Sequence, residues 1–198
     1  MSEKITTQVT AAEPVIPHLG LILIDLQPPF LKMLANGDAV LRRCQFAYRV
    51  AHTLGLPILF TEQNPDKLGA TDERLLNEAG AADCARIGKK SFSAFQSGEV
   101  LQWVLQHDLS HVLLVGLETH ICIYLSALDA TEGDCEVTVL SDCIGGRMPA
   151  QDPVVFSALR GSGVHILPSE TVFYSLLGSA EHPLFRTISR LVVAANGD

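Results

Sequence analysis

The chain has no run of lysine or arginine. Its densest basic spots are pairs, Lys89–Lys90 and Arg42–Arg43. With a formal net charge of −8, it offers neither the basic stripe that a nucleic acid needs nor attraction for anionic lipid. It also lacks an apolar run near the roughly 20 residues of a membrane span. The opening stretch MSEKITTQVTAAEP is polar, without the apolar segment of a secretory signal. Neither nucleic acid nor a membrane is an expected partner, and a soluble cytoplasmic protein is expected. Charged residues are scarce, at 18%, so much of the chain is expected in the interior or between subunits.

The five cysteines, at 44, 84, 122, 135 and 143, are odd in number and include no CxxC. For a chain of this size in the cytoplasm, that excludes a disulfide framework. No Cys/His pair has finger-like spacing, which excludes a structural zinc cluster. No metal and no cofactor are expected. The ordinary role of each cysteine is that of a small buried hydrophobe.

What is present is a core. Of 198 residues, 47% are hydrophobic, enough for one domain without staples. Residues 1–17 read as an N-terminal arm and 18–198 as a single domain without repeats or linkers. LGLILIDL (19–26) is a continuous aliphatic run that fits a strand buried on both faces, and PPF ends it. Residues 38–55 carry Val40, Leu41, Cys44, Ala47, Tyr48, Ala51 and Leu54 at helical spacing, with Gly55 as a stop. Strands are expected at 56–62, 84–88, 111–116, 135–142 and 164–170. Helices are expected at 97–109, 120–133, 152–163 and 182–195, with a loop and a short helix over 63–75. Buried strands alternating with helices predict an α/β protein, a three-layer α/β/α sandwich around a six-stranded parallel sheet.

In such sheets the reactive groups gather beyond the carboxyl ends of the strands. Asp25 ends the first strand, where a carboxylate is costly to bury unpaired; a cap or turn role is the alternative. The third strand leads into GKKSFSAF, with a lysine at the mouth of the sheet or, alternatively, in solvent. The fourth leads to Cys122 near a helix start, where free amides and the dipole favour a thiolate and can hold an oxyanion. Carboxylate, ammonium and thiol together form a set able to perform nucleophilic catalysis.

Four stretches, LILIDLQPPF, KKSFSAF, GLETHIC and VTVLSDCIGGR, resemble in order and spacing the motifs of the isochorismatase-like cysteine hydrolases. FTEQNPDKLGAT, PSETVFYSLLG and HPLFRTISRLV are similar to the isochorismatase-domain-containing branch. The resemblance implies a catalytic triad of Asp25, Lys89 and Cys122, selecting Lys89 over Lys90. It implies a cis peptide bond at Leu117–Glu118, an oxyanion hole from the amides of Glu118 and Cys122, and assembly as a homo-oligomer. Three departures qualify it. TEQNPDKLGATDE lacks the histidines of the nicotinamidase metal site. Gly145 and Gly146 precede Arg147 where the family often has two serines. Isochorismatase proper needs no cysteine, so the family name does not dictate the reaction.

The expected activity is hydrolysis of a small amide or related C–N bond through a thioester. The alternatives are a non-catalytic binding or scaffold protein and a redox thiol pairing Cys122 with Cys143. Gln27, Phe30, Phe92, Phe95, Glu118 and Thr119 are candidates to line the pocket for a small-molecule substrate. Glu62 and Gln63 are open between substrate and subunit contacts. His120 is expected in a structural or wall role, because residues two apart on a helix point to different sides.

Overall fold

A computed structural model describes residues 16–197. The arm expected over 1–17 therefore lies outside the described residues, save Ile16 and Pro17.

The aliphatic run forms β1 (Leu19–Ile24), every residue of which is buried. It sits at the centre of a six-stranded, all-parallel sheet with β2 (Ile58–Gln63), β3 (Ala85–Lys89), β4 (His111–Leu117), β5 (Glu136–Gly145) and β6 (His165–Leu167). The order is β3-β2-β1-β4-β5-β6. Strand order reverses between β1 and β4, where a parallel sheet opens a crevice at its carboxyl edge.

Side chains alternate along each strand, and two cores result. Leu21, Leu23, Leu113 and Leu140 face one layer of helices; Ile22, Ile24, Leu114 and Val139 face the other. In chain order the helices are α1 (Pro28–Met33), α2 (Gly37–Thr53), α3 (Pro65–Leu68), α4 (Glu73–Leu76), α5 (Gly98–Gln106), α6 (Tyr124–Glu132), α7 (Asp152–Gly161), α8 (Ser169–Leu177) and α9 (Phe185–Asn196). The first face is covered by α2, α8 and α9, through Cys44, Tyr48, Phe173 and Ile188. The second is covered by α5, α6 and α7, through Trp103, Ala127 and Leu159. The predicted stripe of α2 is buried from Val40 to Ala51, and Gly55 stops the helix at φ 69°.

Three local readings are corrected. β1 stops at Ile24, before the left-handed Asp25, so Pro28 and Pro29 do not end it; they begin α1, since proline suits the first helical turn, where its missing N–H costs nothing. β6 stops at Leu167, and SETVFYSLL is a helix, α8. The Asp142 carboxylate holds its start by accepting from the Ser169 amide and hydroxyl at 2.7 Å each, and from Arg43 of α2. β5 runs on through Cys143 to Gly145, which places Cys143 in a strand rather than a loop. Among the described residues no helix is long and apolar enough to cross a membrane.

At the strand-order reversal Gly116 has φ 129°, and a Cβ there would lie 2.1 Å from the Ile24 carbonyl oxygen. Backbone meets backbone with nothing flexible to yield. Gly116→Ala is expected to destabilise the protein by at least about 3 kcal/mol. Gly163→Ala, at φ 86° with open space around its Cβ, is expected to cost roughly 1 kcal/mol. Urea unfolding of both variants measures the difference.

Candidate active site

Asp25 follows β1 in a left-handed conformation, φ 53°, and its side chain turns into the protein. The carboxylate is fully buried. Oδ1 accepts from Thr61 Oγ1 at 2.9 Å and Oδ2 from Lys89 Nζ at 2.7 Å. Neither a helix cap nor a turn role accounts for it. The Lys89 ammonium also donates to Gln63 Oε1 at 2.7 Å and to the carbonyls of Phe92 and Ser91 at 3.1 and 3.3 Å. A buried charge needs this degree of satisfaction. Gln63 is itself held, donating from Nε2 to the Lys90 carbonyl and from its amide to Gln27 Oε1.

Gln27 binds the Gly69 and Gln63 carbonyls, so it ties the loop after β2 to the end of β1. Glu62 points the other way, accepting from the Thr71 amide and hydroxyl. Both Glu62 and Gln63 thus have partners within the chain. Thr61 was missed as a candidate, whereas Gln63, left open between substrate and subunit contacts, here holds the Lys89 ammonium. Their only signal in the sequence is polarity at the end of an otherwise aliphatic strand, ILFTEQ.

Beyond β4, Glu118 takes a left-handed conformation (φ 59°, ψ 63°), and Thr119–Ile123 make a single π-type turn that continues into α6. Such turns recur at functional sites. Among the described residues there is no cis peptide bond, so the one expected at Leu117–Glu118 is replaced by this left-handed residue, which reverses the chain through φ and ψ. The Glu118 carbonyl accepts from the Ile121 and Ile123 amides at 2.9 and 3.3 Å. Cys122 is 3% exposed and packs with Phe95 and Ile123.

Its thiol does not follow the expectation of a ready thiolate. Burial first, then the Asp25 charge, push its pKa from the ordinary 9.0 to about 12; the Lys89 charge opposes them, and hydrogen bonding to Asp25 and the Glu118 charge raise it further. That is a penalty on ionisation of roughly 4 kcal/mol, against about 1 kcal/mol for a helix N-terminus. The resting group is therefore a thiol beside a carboxylate that can accept its proton.

The remaining candidates separate. Thr119 is fully buried, and its hydroxyl has no hydrogen-bond partner among the described residues, as is true of His120 Nδ1. Phe95 is buried on the Cys122 side, whereas Phe92 is 59% exposed. Phe30 packs against the α2-side core instead. Cys143 also lies in that core, hydrogen-bonded to the Arg43 carbonyl. The sheet separates it from Cys122, which removes the proposed redox pair. Gly145 and Gly146 have a steric reason: a Cβ on the first would meet Leu34 and Val40 at 2.9 Å, and on the second the Thr119 amide nitrogen at 3.2 Å.

The isochorismatase domain family matches residues 20–171. The chain belongs to the isochorismatase family. Isochorismatase family protein 1B of Dictyostelium discoideum is 31% identical over 177 residues, 88% of this chain and 86% of that protein. The solved MAR1 ribonuclease of Caenorhabditis elegans is 26% identical with a TM-score of 0.82, over 90% of this chain and 92% of that one. The fold is shared with the YcaC gene product of Escherichia coli, described as an octameric hydrolase of unknown specificity, at 17% identity and a TM-score of 0.84 over 91% and 89% of the chains. In this isochorismatase-family chain the candidate site lies at the strand-order reversal, beyond the carboxyl ends of β1, β3 and β4.

The raised pKa has a consequence for stability. The folded state holds the Cys122 proton more tightly than the unfolded chain, so the contribution is fully present below about pH 9 and is lost as pH rises toward about 12. Cys135, raised to about 11 by burial, and Cys44, raised further, act in the same direction. The urea midpoint is expected to fall steadily above about pH 9, and to fall less in Cys122→Ala than in the wild type. Lys89→Met strands the Asp25 carboxylate and is expected to cost about 3–5 kcal/mol at neutral pH in the same measurement.

Proposed function

We propose that the protein is a cysteine hydrolase of small amides or related C–N bonds. Asp25 is the base, Lys89 the cation that holds it, and Cys122 the nucleophile. The observation that carries this reading is the buried Asp25–Lys89 ion pair beside the buried Cys122 thiol. Substrate entry brings a carbonyl against the sulfur. Asp25 takes the thiol proton as the S–C bond forms, and the negative charge moves to the carbonyl oxygen. The amides of Glu118 and Cys122 receive that charge. Asp25 returns the proton to the departing nitrogen and the C–N bond breaks, leaving a thioester. A water molecule, deprotonated by Asp25, then displaces the sulfur, which regains a proton. Lys89 on Oδ2 and Thr61 on Oδ1 hold the carboxylate in place beside the thiol. The Thr119 hydroxyl and His120 Nδ1 are the buried polar groups a substrate would satisfy.

The worm neighbour is described as a ribonuclease, which raises phosphodiesters as an alternative. The net charge of −8 and the absence of a basic run in this chain oppose it. The only cation in the proposed triad is already saturated by acceptors. Assembly as a homo-oligomer is part of the reading, supported by the exposure of Leu105, Val154 and Val193 at 78, 67 and 69%.

Incubation with a library of small amides is expected to leave an acyl adduct on Cys122, seen by intact mass and absent in Cys122→Ala. Asp25→Asn is expected to slow its formation about 10²–10⁴-fold. No adduct with any amide, or cleavage of a single-stranded RNA that survives Cys122→Ala, rejects the proposal. A scaffold protein would give neither. Light scattering on the eluting protein is expected to give a mass above one chain; a monomer rejects the oligomer alone.

A further inference from the structure

One of the buried charges that the mechanism leaves unused adjoins the turn of Cys122. The Glu118 side chain is 3% exposed, immediately before the turn that carries Cys122. Arg147, in the loop after β5, grips it from the surface. Nε lies 3.1 Å from each carboxylate oxygen and Nη2 2.9 Å from Oε2. This fork geometry is what arginine supplies and lysine does not.

Three further contacts make the pair part of the turn rather than an ornament on it. Glu118 stands in a left-handed conformation that costs a non-glycine residue on the order of 1 kcal/mol or more, so something must hold it there. Its carbonyl receives two amides of the π-type turn. Gly146, next to Arg147, lies against the Thr119 amide and the His120 ring so closely that a Cβ would crowd both. The loop after β5 therefore clamps the turn by its backbone at Gly146 and by its charge at Arg147.

We propose that Arg147 is a positioning residue for Cys122: through Glu118 it fixes the turn that presents the sulfur, and it neutralises a carboxylate that would otherwise oppose formation of the thiolate. The proposal rests on the reading of Cys122 as the nucleophile. The charged and titratable groups around the turn are Asp25 from β1, Lys89 from β3, Glu118 and His120 of the turn itself, Arg147 from the loop and Asp152 from the start of α7. His120 Nε2 is 3.9 Å from Glu118 Oε2, and burial pushes the Asp152 carboxyl up. The Glu118 charge is among those that raise the Cys122 pKa. Removing the guanidinium exposes the thiol to that charge in full, and removing the carboxylate relieves it. The two halves of one ion pair therefore have opposite effects on the sulfur.

The test is the rate of iodoacetamide labelling of Cys122, read by peptide mass spectrometry at about pH 8, where the rate follows the thiolate fraction. Arg147→Ala is expected to label about ten-fold more slowly and Glu118→Gln about ten-fold faster, the size of a neighbouring charge's effect on a pKa. Arg147→Lys, which keeps the charge and loses the fork, is expected to restore much of the rate. Arg49→Ala breaks an ion pair of similar geometry with Glu78, on α2, and is expected to leave the rate unchanged. Thermal melts establish that each variant is folded. Equal rates in Arg147→Ala and wild type, or changes of the same sign in Arg147→Ala and Glu118→Gln, overturn the proposal while leaving the nucleophile in place. A wild-type Cys122 that resists labelling at every pH, with no adduct from the amide library, overturns both readings together.

Discussion

An ion pair with no access to water organises this protein. Asp25 and Lys89 come from the first and third strands of the sheet, 64 residues apart, and meet at 2.7 Å with neither side chain exposed. Two opposite charges in such a place are stable only if their remaining valences are filled. The neighbouring elements fill them: Thr61 and Gln63 from β2, and the Ser91 and Phe92 carbonyls from the loop that wraps the lysine stem. The pair therefore constrains the ends of three strands and the loops behind them. A one-residue slip of β2 would turn Thr61 and Gln63 to the opposite face of the sheet.

The same burial decides the state of the sulfur. A helix start favours an anion by a modest amount, and that argument alone predicts a reactive thiolate. In this molecule desolvation and the Asp25 carboxylate outweigh it. The outcome suits the general-base mechanism we propose better than a standing thiolate would. A protonated thiol beside its base is quiet until a substrate excludes water and offers the developing charge somewhere to go. The Glu118–Arg147 pair extends the arrangement outward to the surface, where an exposed guanidinium meets an enclosed carboxylate.

Much of the layout was legible in the chain. The aliphatic runs of β1 and β4 have strand length and no helical gaps, and the α2 stripe repeats at helix period, so burial follows from pattern. Asp25, Lys89 and Cys122 were legible because Asp25 directly follows β1, Lys89 ends β3 and Cys122 lies in the turn that follows β4. Pro28–Pro29 misled, because proline can end a strand or begin a helix; here the strand had already stopped at Ile24 and the prolines begin α1. SETVFYSLL misled because its start is held by Asp142 and Arg43, partners distant in sequence. Phe30 was misplaced because aromatic character does not say which side of a sheet a residue will face.

By itself, then, the sequence determined the alternation of strands and helices, the family, and which three side chains stand at strand ends, for these depend on local periodicity and on motifs read along one dimension. Tertiary structure decided the rest: that burial and the Asp25 charge push the thiol pKa up, that Thr61 and Gln63 hold the Asp25–Lys89 pair, that Cys143 is walled off by the sheet, and that Arg147 reaches Glu118. Each of these depends on distance and on exclusion of water, and neither exists until the chain has closed upon itself.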